Sequence, residues 1–332
     1  MAQTTLIVDI SHLTYRSESS PGENLYTSTN YPTKAVFGIL SSINKVLNDR
    51  PNINKIYLAF DGFSKYRKEL FPEYKANREH NPSDKRYAAY IEPDDHGWSR
   101  KDRIKFAINK IKEIAPAFAM HVAYNENMEG DDMGYNLAKQ LYYNSDLIFM
   151  TDDKDWLQLI NVFPKSIVYR AMANEIITEK NFLQTQGVPP AWFVIQKALL
   201  GDKSDNINSV LPGCGEKAIG LLLTEAIKRN INPESDSLWV QLQDVVRELE
   251  LNKQLGRSKN LVKIYDYEHY QIFNRNIKLV DFRKCPVSGV LQENLNEILR
   301  LDFAKAVDII KALEFKALNK IVMPGSPWCR LI

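Results

Sequence analysis

Acidic residues recur in this chain where apolar, strand-like runs end. Leu6-Ile7-Val8 leads into Asp9, and Ile56 to Phe60 leads into Asp61. The run around His121 to Tyr124 precedes Glu129-Gly130-Asp131-Asp132, and Leu147 to Met150 precedes Asp152-Asp153-Lys154-Asp155. In an open parallel α/β sheet the ligand crevice lies beyond the carboxyl ends of the strands, so carboxylates far apart in sequence converge there. Like charges gathered in one place must either take up protons or hold divalent cations. Hard oxygen donors, with no cysteine and little histidine among them, select Mg²⁺ or Mn²⁺. The chemistry expected of these residues is metal-dependent phosphoryl transfer.

The elements that must position them follow from periodicity. Up to about residue 180, strand-like runs alternate with helical patterns at Lys34 to Leu47, Arg103 to Ile114 and Asp132 to Tyr143, the βαβ signature of a parallel sheet. Short runs at Ser166 to Tyr169 and Glu175 to Thr178 read as a closing hairpin. Beyond them the period is helical, at Pro190 to Leu200, Glu216 to Arg229, Leu238 to Leu251, Lys259 to Arg275 and Phe303 to Leu313. The expected fold is α/β, with a mostly parallel central sheet flanked by helices over 1–180 and a helical domain over 181–332. Residues 62–103 break the pattern: they lack sustained apolar periodicity, are punctuated by Pro72, Pro82 and Pro93, and interleave Lys65, Arg67, Lys68, Lys75, Arg78, Lys85 and Arg86 with aromatics. That composition suits contact with a nucleic-acid backbone and its bases.

With 332 residues and 44% hydrophobic content the chain has an ample core for one large or two modest domains. Cys214, Cys285 and Cys329 lack metal-ligand spacing and give no disulfide framework. No apolar run approaches membrane-spanning length and the first residues lack a basic flank, so no membrane association and an intracellular location are expected. The net charge of +2 sums an acidic site and a basic remainder. Such a remainder fits a polyanionic partner, and equally fits ordinary solvated surface charge.

The sharpest motif is Leu200-Gly201-Asp202-Lys203-Ser204-Asp205-Asn206-Ile207 followed by Pro212-Gly213-Cys214-Gly215-Glu216-Lys217-Ala218. Glycine pairs ahead of a helix let the backbone turn tightly and aim amides or carbonyls at a phosphate or a monovalent cation. With these residues the chain resembles the 5′-nuclease family of flap endonucleases and 5′-to-3′ exonucleases, and most of all its stand-alone bacteriophage-type members, including phage ribonuclease H. Val8 to Arg16 is similar to the family's first metal-ligand strand with its downstream arginine. Phe71-Pro72-Glu73-Tyr74-Lys75-Ala76-Asn77-Arg78 resembles the gateway helix of the family's helical arch, here spanning about 62–103. Phe273 to Asp281 is similar to a segment of the helical domain in phage members. Departures from the pattern are Ile10 and Lys154 in place of glycines, and a turn from Asn206 to Gly213 one residue longer than usual.

The resemblance implies metal ligation by Asp9, Asp61, Glu129 and Asp131 at one ion and by Asp153, Asp155, Asp202 and Asp205 at a second, with Asp132 and Asp152 as further candidates. Lys75 and Arg78, one helical turn apart, would face one scissile phosphate; Tyr74 would stack on an unpaired base or be buried in the arch; Arg16 would bind phosphate or pair with a local carboxylate. Gly213, Gly215 and Lys217, in a helix-hairpin-like motif over about 190–230, would hold the duplex backbone, with a K⁺ ion at the turn. His12, His80, His96, His121 and His269 lack paired ligand spacing and read as structural or surface residues, Trp156 as core, and the tail from Met323 as folded back on the helical domain. The implied activity is structure-selective hydrolysis of phosphodiesters in replication intermediates by a monomer: branched or nicked duplexes, 5′ flaps and RNA–DNA hybrids, with a single-strand binding protein or sliding clamp as recruiting partner. A rival class is a catalytically weak or inactive end-binding protein of the same fold.

Overall fold

The computed structural model describes residues 3–78, 85–286 and 297–331, with the side chains of 85–87 outside that description. Strands β1 (Gln3–Asp9), β2 (Ile53–Phe60), β3 (Met120–Tyr124), β4 (Ser145–Met150) and β5 (Ile167–Arg170) are parallel, and β6 (Glu175–Ile177) closes the sheet antiparallel to β5. Their order is β3-β2-β1-β4-β5-β6. The order reverses at β1, so the crevice of this open sheet lies beyond the carboxyl ends of β1 and β4.

Helices α1 (Ile10–Ser19), α2 (Lys34–Asp49), α3 (Lys65–Leu70), α4 (Lys85–Ile91), α5 (Arg100–Ile114), α6 (Gly130–Leu141) and α7 (Leu159–Val162) belong to the first half of the chain. After β6 come α8 (Glu179–Gln186), α9 (Pro190–Leu200), α10 (Glu216–Lys228), α11 (Leu238–Leu251), α12 (Tyr267–Val280) and α13 (Phe303–Ala312). The strands are apolar on both faces, as a sheet covered on both sides demands. Leu6, Val8, Ile56, Leu58, Ile148 and Met150 join one core with α2, α5 and α13, while Ile7, Tyr57, Ala59 and Phe149 join the other with α6 and α9 to α12. Trp156 is fully buried against Phe149 in the second core. Gly134 makes room for it, since a Cβ there would stand 2.2 Å from the indole.

Three expectations are corrected. The segment Phe71 to Arg78 is not a helix: α3 ends before Pro72, which has no N–H to continue the ladder, and Lys75 adopts a left-handed φ of 57° ahead of a 3₁₀ turn over Ala76–Arg78. The helical run expected from Lys259 to Arg275 splits at Asp266, whose extended backbone separates a 3₁₀ stretch over Gly256–Tyr265 from α12. The tail packs on α2 rather than on the helical half. Trp328 is fully buried, its indole N–H donates to Asn44 Oδ1 at 3.1 Å, and Arg330 donates to the Leu47 carbonyl at 2.6 Å. His80, Pro82 and the side chains of Lys85 and Arg86 lie outside the described residues. No helix among the described residues is long and apolar enough to cross a membrane.

Candidate active site

Four of the acidic residues, Asp9, Asp61, Asp153 and Asp202, each hold the start of a helix or turn and face the crevice at once. Asp9 ends β1 and caps α1, its Oδ1 accepting the His12 N–H at 3.0 Å and its Oδ2 the Thr151 hydroxyl at 2.9 Å. Asp61, just after β2, accepts the Gly130 N–H at 2.5 Å and so ties the end of β2 to the start of α6. Asp153 and Asp202 cap the 3₁₀ turns Lys154–Gln158 and Lys203–Asp205 through the N–H groups of Asp155 at 2.9 Å and Ser204 at 2.8 Å. Asp61 and Asp153 are each fixed through Oδ1 alone, whereas Asp9 accepts through both oxygens.

A cleft of about 200 Å³ lies between these turns. Every carboxylate expected as a ligand lines it except the two further candidates Asp132 and Asp152, and Lys75 and Arg78 line it too. Asp132 points the other way and is fully buried, with both oxygens held by the Arg67 guanidinium at 2.5 and 2.8 Å. Arg67 is itself only 2% exposed, so it is a buried pairing group rather than a surface contact for nucleic acid. Tyr74 is also buried, 3% exposed, with its hydroxyl between Glu129 at 2.9 Å and Asp205 at 3.0 Å; it is no stacking platform. Arg16 pairs with Asp152 at 3.6 Å, and Asp152 accepts the Met172 N–H at 3.0 Å, away from the cleft. Lys154 is exposed and outside the cleft lining.

The carboxylates divide by the company they keep. Lys75 pairs with Glu129, Arg78 with Asp205 at 2.6 Å, and Lys197 with Asp155 and, at 3.7 Å, with Asp202. Burial pushes Glu129 up, but Lys75 and Arg67 override it and hold the group below its ordinary value. Burial likewise pulls the Lys75 ammonium down, and Glu129 and Asp205 more than compensate. Asp9, Asp61, Asp131 and Asp153 have no ion pair among the described residues. Burial, then the charges of Asp61 and Asp153, push Asp9 up to about 8, and burial with Asp132 alongside raises Asp131. No cation among the described residues pairs directly with this quartet, and its all-oxygen donor set fits a hard divalent cation.

Lys197 carried no sequence expectation. Its signal was its isolation: it is the one charge in the helix Pro-Ala-Trp-Phe-Val-Ile-Gln-Lys-Ala-Leu-Leu, and burial lowers its pKa. His12 and Ser11 also line the cleft, carried there by the first turn of α1. His121 stacks on Tyr57 with ring centroids 4.6 Å apart, and His96 stacks on Tyr26 at 3.9 Å.

At the far end of α9, the glycine-rich turn leads into α10. Gly213 has a left-handed φ of 84°, and a Cβ there would stand 2.5 Å from the Asn260 amide. Gly213, Gly215 and Lys217 are exposed, with Lys217 in the first turn of α10. Two carbonyls of this turn have side-chain donors: Lys263 Nζ reaches the Pro212 oxygen at 2.8 Å and the Asn260 amide the Gly213 oxygen at 3.4 Å.

Residues 4–187 match the family model described as 5′-3′ exonuclease, N-terminal resolvase-like domain. A 5′-3′ exonuclease of Aquifex aeolicus is 27% identical over 93% of this chain and 96% of its own length. DNA polymerase I of Caldicellulosiruptor bescii is 27% identical over 95% of this chain, which spans only 36% of that polymerase. Among solved structures, the bacteriophage T5 flap endonuclease in complex with DNA and metal ions superposes with a TM-score of 0.58 at 18% identity, covering 96% of this chain and 98% of that one. T5 5′-exonuclease with bound zinc ions gives the same TM-score at 19% identity, covering 96% and 97%. Family model, sheet order and converging carboxylates agree, and the chain belongs to the 5′-3′ exonuclease family.

Proposed function

We propose that this chain is a divalent-metal-dependent, structure-selective 5′ nuclease, a 5′-to-3′ exonuclease and flap endonuclease that hydrolyses branched or nicked duplexes and RNA–DNA hybrids to a 5′-phosphate and a 3′-hydroxyl. The observation that carries the reading is the quartet Asp9, Asp61, Asp131 and Asp153, which line one cleft without ion pairs among the described residues. These residues would hold Mg²⁺ or Mn²⁺, with Asp155, Asp202 and Asp205 completing the donor set. Ions bound there would supply an activated water and neutralise charge on the phosphate.

The chain's own side chains do the rest. Lys75 and Arg78 project into the cleft, where each can exchange its carboxylate partner for a phosphate oxygen and offset charge developing in the transition state. Glu129, held by Arg67 at 3.1 Å and by Tyr74, orients Lys75; Asp132, saturated by Arg67, is assigned to this support and not to a metal. Exposed amides at Gly213 and Gly215, with Lys217 beside them, would grip a duplex phosphate at the start of α10. The DNA and metal ions in the T5 flap endonuclease complex support this assignment.

A 5′-labelled duplex with a single-stranded 5′ flap tests the proposal, with Mg²⁺ or Mn²⁺ against chelator and wild type against Asp153→Ala. Metal-dependent cutting near the flap junction, lost in the variant while duplex affinity persists, is the expected result. Binding without cutting under every metal condition would overturn it.

A further inference from the structure

The segment from Phe71 to Arg78 that carries Lys75, the stalk, is fastened to the turn that carries Asp202 and Asp205. Three consecutive carbonyls of that turn accept from the stalk: Lys203 from the Asn77 amide at 2.7 Å, Ser204 from Arg78 Nε at 3.3 Å, and Asp205 from the Lys75 backbone N–H at 2.9 Å. The turn answers with one donor of its own, the Asn206 amide to the Glu73 carbonyl at 2.8 Å. Two asparagines, one on each segment, thus hold the other segment's main chain.

The clasp closes around an unfavourable backbone. Lys75 sits at a φ of 57°, a region lysine avoids, and such conformations persist only where surrounding contacts over-determine them. Here the over-determining contacts are on both sides of Lys75, at residues 73 and 77, and on its own N–H. That backbone turn directs Lys75 Nζ back across the cleft to Glu129.

We propose that Asn77 and Asn206 are reciprocal positioning residues for Lys75, locking the arch stalk to the second acidic turn so that the lysine and those carboxylates keep one geometry. The proposal rests on the nuclease reading for its kinetic consequence, although not for its structural one. Neither asparagine lines the cleft. Both act through Lys75.

The test uses the full chain with Asn77→Ala and with Asn206→Gly. Asn206 is itself left-handed, at a φ of 60°, and glycine retains that conformation while removing the amide. Hydrogen exchange of the peptide containing the Lys75 amide, and single-turnover cleavage of a 5′-flap duplex, are measured in wild type and in a Lys75→Ala background. Each variant should speed exchange at Lys75 and slow cleavage about tenfold, with duplex affinity in chelator changed by less than about twofold. In the Lys75→Ala background neither should slow cleavage further, because the group they position is gone. Unchanged exchange, or an equal loss of rate with and without Lys75, would overturn the proposal. A wild type that does not cleave would instead remove the nuclease reading and leave the exchange result to decide the clasp.

Discussion

At the scale of single residues, the site is defined by which carboxylates have partners and which do not. Asp9, held up at about 8, binds a proton in the folded chain that the unfolded chain releases near the ordinary carboxylate value. Raising the pH strips that proton from the native state alone, so in chelator stability should fall between about pH 5 and pH 8. Thermal melts across that range should show the decline, Asp9→Asn should flatten it, and Mg²⁺ should reverse it in wild type only. Lys75 makes a different prediction. Removing a charge donor aimed at the reacting phosphate typically costs about 10²-fold in rate, so Lys75→Ala should slow single-turnover cleavage on that order while sparing duplex affinity. A loss confined to affinity would make it an anchor. The aspartates were legible in the sequence because strand ends and charge runs are local signals. The pairings of Arg67 with Asp132 and of Lys197 with Asp155 were not, since 65 and 42 positions separate the partners.

Among the elements, regular periodicity was read well and broken backbone poorly. The helix from Leu238 to Leu251 and the hairpin of β5 and β6 emerged from pattern alone. The stalk from Phe71 to Arg78 did not, because the left-handed Lys75 is imposed by tertiary bonds to a turn far along the chain. The glycine-rich turn before α10 was located correctly, but its support comes from Asn260 and Lys263 on the 3₁₀ stretch over Gly256–Tyr265. The Lys263 ammonium on the Pro212 carbonyl puts a positive charge at this turn, and it would repel a monovalent cation approaching the same oxygen. Duplex affinity should therefore be the same in potassium, sodium and tetramethylammonium chloride at equal ionic strength. Lys263→Met should weaken binding in tetramethylammonium and recover in potassium; fluorescence anisotropy on a labelled duplex reads both.

For the molecule as a whole, the helical half and one face of the sheet share one apolar core, which couples the glycine-rich turn before α10 to the acidic cleft. Besides the bonds to the turn over 203–206, polar bonds tighten that union at the end of α12: Arg67 Nε donates to the Leu279 carbonyl at 2.8 Å, and Gln158 takes the Phe282 N–H at 3.0 Å while donating to the Val280 carbonyl at 3.1 Å. On the opposite face of the sheet the last residues seal the other core. Trp328 packs edge-on to Phe118 with ring centroids 5.5 Å apart, and the tail from Phe303 onward covers α2 and β3's approach. Composition could not reveal this, because an aromatic near the end of a chain carries no address. Trp328→Ala removes a fully buried indole and strands the Asn44 amide oxygen, which should lower unfolding free energy by about 3–5 kcal/mol in denaturant titration. Because no residue of the tail lines the cleft, the cut position on a flap duplex should stay where it is in wild type. A shifted cut would mean that strain at α2 reaches Asp9 through α1, which packs between them.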